Sequence, residues 1–101
     1  MLRHIVMFEF IKEFEGKSAI ENAVTAKGML LGLMDKIDYI RRMEVGINDA
    51  EADGSNYTLC LTCDFDTIDD LNAYAVHPEH LKAAAFIGKV KISRACVDYE
   101  I

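Results

Sequence analysis

The chain has no tryptophan, one proline, three cysteines, few basic residues and no long uninterrupted apolar stretch. Each scarcity excludes something. A membrane-crossing helix needs about 20 consecutive apolar residues, so no membrane association is expected. The opening run Met1-Leu2-Arg3-His4-Ile5-Val6-Met7-Phe8-Glu9-Phe10 is interrupted by charge and has no small-residue cleavage site after it. It does not fit a signal peptide, and the cytoplasm is the default expectation. An odd cysteine count is awkward for a disulfide framework and suits a reducing compartment. Lys and Arg number 11 against 17 Asp and Glu, a formal net charge of −6. Phosphate backbones require a basic patch, and the cations here are scattered among acids, so no nucleic-acid partner is expected.

What is present describes a globular chain: 101 residues, 51% hydrophobic and 28% charged, expected to form a single domain over 1–101. A domain this small buries only about 60–65% of the surface of its unfolded chain, so a second subunit would help stabilise it. Cys60 and Cys63 spell C-x-x-C, but they lie in the alternating run Tyr57–Phe65. An offset of three along a strand puts the thiols on opposite faces, and no second C-x-x-C completes a zinc site. They read as small buried or half-buried residues. Asp49, Glu51, Asp53 and Gly54 begin like a calcium loop, yet the twelfth position is Cys60 rather than a bidentate Glu. A solvated hairpin loop explains them better. There is no His-Glu-x-x-His, no glycine-rich phosphate loop and no nucleophile beside a base. No metal and no cofactor is expected.

Periodicity gives six elements. Residues 2–11 form a strand with Leu2, His4, Val6, Phe8 and Phe10 on one face and Ile5, Met7 and Ile11 on the other. Ser18-Ala19-Ile20-Glu21 is a capping box. The helix it opens carries Ile20, Ala23, Val24, Leu30, Leu31 and Met34 at near-helical spacing, with Gly28 and Gly32 suited to a close backbone approach. A second strand covers about 40–47, with Arg41, Met43, Val45 and Ile47 on one face. A third covers 57–65. Asp66 or Thr67 caps a short helix to about Val76, Pro78 opens another to about Lys89, and a last strand runs over roughly 92–100. The fold class is α+β: a ferredoxin-like βαββαβ order, a four-stranded antiparallel sheet, and a second helix broken at Pro78.

A sheet covered by helices on one side should be polar on the other. Here the first strand is apolar on both faces, and Ala95, Val97, Tyr99 and Ile101 repeat the pattern on the last. A second copy of the sheet is the simplest cover, which implies a homodimer through the sheet face. The densest chemistry lies in Tyr74-Ala75-Val76-His77-Pro78-Glu79-His80. Pro fits the first turn of a helix and little of its interior, so this is a helix–helix corner with a phenol and two imidazoles. It fits an acid–base pair, and it equally fits a packed corner. In the packed reading His4 is a hydrogen-bonded core residue, His77 caps the helix that Pro78 begins, and His80 bonds to Tyr74.

Met1–Phe8, Met43-Glu44-Val45-Gly46, Phe65-Asp66-Thr67, Tyr74–His80 and Val97-Asp98-Tyr99 together resemble the stress-responsive A/B barrel family, Dabb, for dimeric α/β barrel. The resemblance covers essentially the whole chain. It implies the ferredoxin-like fold and a dimeric α/β barrel made by pairing two sheets. It also implies either of two functions. One is a stress-associated, assembly or small hydrophobic ligand-binding role without turnover. The other is a cofactor-free enzyme on a hydrophobic carbonyl or polyketide-like substrate, cyclase- or monooxygenase-like. A plant polyketide cyclase of the family supplies the catalytic precedent. By resemblance its acid–base residues fall on Tyr74 and His80, with His4 in support. Imidazole can take a proton next to a carbonyl while a phenol hydrogen-bonds the developing enolate. Phe8 and His77 are expected to line the ligand pocket. The family's usual Pro-Gly pair before the second strand is here Ile37-Asp38-Tyr39-Ile40, so that turn is expected to be built differently.

Overall fold

The computed structural model describes residues 1–101. Its first strand, β1 (Leu2–Phe10), is followed by a small hairpin of β2 (Glu13–Phe14) and β3 (Lys17–Ser18). Helix α1 (Ala19–Leu31) and a 3-10 turn (Gly32–Asp35) lead to β4 (Arg42–Ile47) and β5 (Leu59–Phe65). Helices α2 (Ile68–Val76) and α3 (Pro78–Val90) then precede β6 (Lys91–Glu100). The main sheet has the order β4-β5-β1-β6 with every neighbouring pair antiparallel. This is the expected ferredoxin-like arrangement, with the break in the second helix at Pro78.

The alternation in β1 does what its pattern requires. Leu2, His4, Val6, Phe8 and Phe10 are buried beneath the helices, and Met7 is exposed on the far face. In β5 the two thiols part as their spacing predicts, Cys63 buried and Cys60 half-buried. Residues directly opposite across antiparallel strands share a face, so pairing with β1 sorts β6 as well. Arg94, Cys96 and Asp98 stand opposite Phe8, Val6 and His4 on the helix side, while Ala95 and Val97 stand opposite Met7 and Ile5 on the far side. The two faces of β6 are thus polar inward and apolar outward.

The β2–β3 hairpin carries no strong signal in the sequence. Its turn places Glu15 at φ 52° and Gly16 at φ 78°, the two positive φ values that a tight primed turn needs. Gly accepts this conformation freely, but Glu is not the Asn or Asp that usually announces it. Helix α1 starts as expected: the Ser18 hydroxyl accepts from the Glu21 N–H at 3.2 Å, and the Ser18 N–H donates to the Glu21 carboxylate at 3.0 Å.

The buried face of α1 differs from the expected stripe. Asn22, Ala23, Ala26 and Leu30 are buried, whereas Ile20, Leu31 and Met34 are exposed and Val24 is 59% exposed. Ala23 and Ala26 have no exposed surface. The fully buried positions of α1 are filled by small side chains, so the inward face follows packing against the core and not the distribution of large apolar residues. Gly28 and Gly32 do not serve close approach, since no atom lies within 4 Å of where a Cβ would stand. The turn before β4 uses another anchor. Ile37 and Ile40 both reach the core, and the Arg41 N–H donates to the Asp64 carbonyl at 2.8 Å.

At the corner, Thr67 caps α2 by accepting from the Asp70 N–H. His77 then ends α2 and caps α3 at once, its Nδ1 accepting from the Glu79 N–H at 3.1 Å. Its extended backbone, φ −64° and ψ 135°, is the conformation forced on a residue before proline.

Candidate functional site

Tyr74 is the pivot of the corner and is 1% exposed. Its ring packs on Phe65 at a centroid distance of 5.1 Å and on His80 at 4.4 Å, both tilted by about 50°. Its hydroxyl has no hydrogen-bond partner of normal geometry. The neighbouring polar group is the Cys63 thiol, itself pushed up to about 12 by burial. Burial likewise drives the phenol well above its ordinary value of 10.0, because a phenolate in that apolar setting would lack solvation. Tyr74 supports the ring of His80 from behind.

His80 does not bond to Tyr74 through its ring nitrogens. Its Nδ1 lies 3.0 Å from the Ala75 carbonyl oxygen. A carbonyl only accepts, so Nδ1 carries the proton and Nε2 holds a lone pair. Burial lowers the pKa from the ordinary 6.5, opposed by the Ala75 hydrogen bond and assisted by the nearby Arg94 cation. The neutral imidazole is therefore the form present at neutral pH.

His4 is fixed in the same way from another side. Its Nδ1 lies 2.5 Å from Asp98 Oδ1 and 3.5 Å from Cys96 Sγ. Asp98 accepts the Nδ1 proton and leaves Nε2 as the free ring nitrogen. His4 and His80 both line a cavity of about 120 Å³ between the sheet and the helices. Val6, Phe8 and Leu61 form its floor, Leu30, Ala84 and Ile87 its roof, and Lys91 and Arg94 stand on the β6 side. Arg3, Arg41 and Arg42 each hold an ion pair with a carboxylate, whereas Arg94 has none.

The fold thus brings His4, His80 and Phe8 together at one cavity. Two expected site residues stand elsewhere. His77 does not line the cavity, because its ring is committed to the start of α3. Tyr74 does not line it either, because its side chain is buried between Phe65 and His80. Cys96, Arg94 and Lys91, and Asp98 beyond its place in the Val97-Asp98-Tyr99 motif, are not expected site residues from the sequence. Only the β1–β6 register reveals them, by setting Asp98 opposite His4 and Arg94 opposite Phe8.

The far face of the sheet is built differently. Arg3 grips Asp64 with two hydrogen bonds of 2.8 and 2.9 Å. Those bonds hold the Asp64 carboxyl below its ordinary value against the cost of desolvation. Beside this pair, Ile5, Met7, Ala95, Val97 and Tyr99 share the surface, and Val97 is 54% exposed. A shallow depression of about 540 Å³ runs from Met7 and Cys60 under the loop carrying Ser55, Asn56 and Tyr57. It holds none of the histidines.

The model of the stress responsive A/B barrel domain matches residues 2–101. No match is found among curated proteins. Several solved structures are similar. A dimeric protein of unknown function and ferredoxin-like fold from Bacteroides fragilis shares 35% identity at a TM-score of 0.80, over 99% of this chain and 95% of that one. A dimeric ferredoxin-like protein of unknown function from Jannaschia shares 30% at 0.75, over 99% and 98%. A hydroxynitrile lyase from Passiflora edulis shares 17% at 0.72, over 99% and 92%, a likeness of fold alone. No helix is long and apolar enough to cross a membrane.

Proposed function

Because the chain belongs to the stress-responsive A/B barrel (Dabb) family, we propose that it works as a homodimer that binds a small hydrophobic ligand in the cavity between His4 and His80. The supporting observation is the cavity's composition: an apolar floor and roof with two imidazoles whose Nδ1 atoms are already engaged. Each has one free nitrogen, suited to a hydroxyl or another donor on an otherwise apolar molecule. At about 120 Å³ the space is well below the several hundred Å³ that a drug-sized ligand occupies. The ligand is therefore a compact molecule or the apolar end of a longer one. The dimer forms through the far sheet face, where Ile5, Met7, Ala95 and Val97 lack a cover. The Bacteroides and Jannaschia relatives are both dimeric, which supports a homodimer.

A thermal-shift and calorimetric screen of small apolar alcohols, phenols and ketones tests the ligand reading. A hit should bind the parent protein, lose affinity in Ala84→Phe, which fills the cavity, and weaken in His80→Ala. Hits indifferent to both substitutions would sink it. For the dimer, Val97→Asp should shift the sedimentation equilibrium to monomer, and an unchanged dimer would rule out that face.

A second reading, His80 as a general base, draws on its free Nε2 and lowered pKa. It does not extend to a Tyr74–His80 acid–base pair working on one substrate, since the buried Tyr74 side chain does not reach the cavity.

A further inference from the structure

We propose that His4, Cys96 and Asp98 form a three-ligand site for a divalent transition metal, Zn²⁺ by the character of its donors. The three donor atoms make a compact triangle: Nδ1 to Sγ 3.5 Å, Sγ to Oδ1 3.7 Å and Nδ1 to Oδ1 2.5 Å. Zinc holds imidazole nitrogen and carboxylate oxygen at about 2.0–2.2 Å and thiolate sulfur at about 2.3 Å, in tetrahedral array. Those lengths put N···S near ~3.5 Å, S···O near ~3.6 Å and N···O near ~3.3 Å. Two edges already match. The third is short because a proton now sits where the metal would, and it opens by less than about 1 Å when Asp98 swings on its χ angles.

The backbone holds the donors ready. Cys96 and Asp98 are two apart on one strand and so project from the same face. His4 is the residue paired with Asp98 across the β1–β6 ladder. Only side chains need to adjust, and Cys96 and Asp98 are both exposed, so an ion reaches them without the fold opening. Charge is balanced as well. One thiolate and one carboxylate neutralise Zn²⁺, which offsets the cost of placing a dication near Arg94. A thiolate and an imidazole also disfavour Ca²⁺ and Mg²⁺, which take oxygen ligands.

Binding is coupled to proton release. The Cys96 thiol gives its proton to buffer and becomes thiolate. Nδ1 of His4 gives up the proton it shares with Asp98 and binds the metal, and the ring carries its proton on Nε2. With the metal on Nδ1, His4 offers an N–H donor at Nε2. Three protein ligands leave a fourth position for water, the pattern of an open site.

Chelator-stripped, reduced protein titrated with Co²⁺ tests this directly. The expected result is one Co²⁺ per chain, a near-ultraviolet thiolate-to-cobalt charge-transfer band, and visible bands of four-coordinate intensity, all displaced by Zn²⁺. Cys96→Ser should abolish the charge-transfer band, Asp98→Asn should keep it but weaken binding at least about tenfold, and Cys60→Ser should change nothing. Zn²⁺ should also raise the melting temperature of the parent protein and not of Cys96→Ser. Absence of the band at one equivalent, or its survival in Cys96→Ser, would overturn the assignment. Ligand binding by the stripped protein tests the cavity reading separately.

Discussion

Replacing Tyr74 with phenylalanine deletes a single oxygen from the largest fully buried side chain in the protein. That oxygen has no hydrogen-bond partner of normal geometry, and a buried hydroxyl left unpaired costs about 1–3 kcal/mol relative to its state in water. The Cys63 thiol beside it is a weak partner and recovers a fraction of this. Meanwhile the ring contacts with Phe65 and His80 survive the change. Tyr74→Phe should therefore stabilise the protein by about 1 kcal/mol, which for a chain of this length is roughly 4–8 °C in melting temperature. Urea unfolding at fixed protein concentration is the assay, with an unchanged m-value showing that the folded and unfolded states stay comparable. Tyr74→Ala, which also removes the ring, should instead cost about 3–5 kcal/mol. The reasoning is refuted if Tyr74→Phe lowers stability by more than about 0.5 kcal/mol, since the hydroxyl must then hold a partner of real strength. A destabilised Phe variant would mean the tyrosine is kept for its oxygen and not for its ring.

Substitutions at four other positions probe different parts of the structure. His77→Ala should cost about 1 kcal/mol through loss of the cap on α3, while His77→Ser should retain most of it; equal losses in calorimetry would discredit the capping role. Asp64 has its pKa lowered chiefly by Arg3, so it stabilises the fold above its ordinary value of 3.8 and that stability is lost as pH falls through the lower, folded value. Asp64→Asn should flatten this acid limb in a stability–pH profile, and an unaltered limb would assign it to other carboxylates. On α1, Val24→Lys should stay within about 0.5 kcal/mol and Ala26→Leu should cost about 1–3 kcal/mol, the reverse of what hydrophobic periodicity alone suggests.

That reversal shows how far local pattern carries. The capping box at Ser18, the cap at Thr67 and the helix start at Pro78 are local devices, and each acts where its residues place it. The period-two alternation of β1 and β5 assigns faces because a strand has only two. Helix α1 has many possible faces, and the buried one is set by which side the tertiary fold packs against the core. The Glu15–Gly16 turn has no clear sequence signature, because glutamate at positive φ is a conformation that its neighbours impose.

The chain alone determined the order of elements, the strand faces, the doubly apolar first strand and the histidine-rich corner, since all of these depend on residues a few positions apart. Tertiary structure alone decided what the histidines do. His4 meets Asp98 and Cys96 from more than 90 positions away, and only the antiparallel register of β1 with β6 sets them on one face. His80 turns its Nδ1 to the Ala75 carbonyl and Tyr74 lies buried behind it because three elements converge at the corner. Hydrogen-bond partners, burial and the shape of a cavity are properties of distance in space, and sequence separation does not encode them.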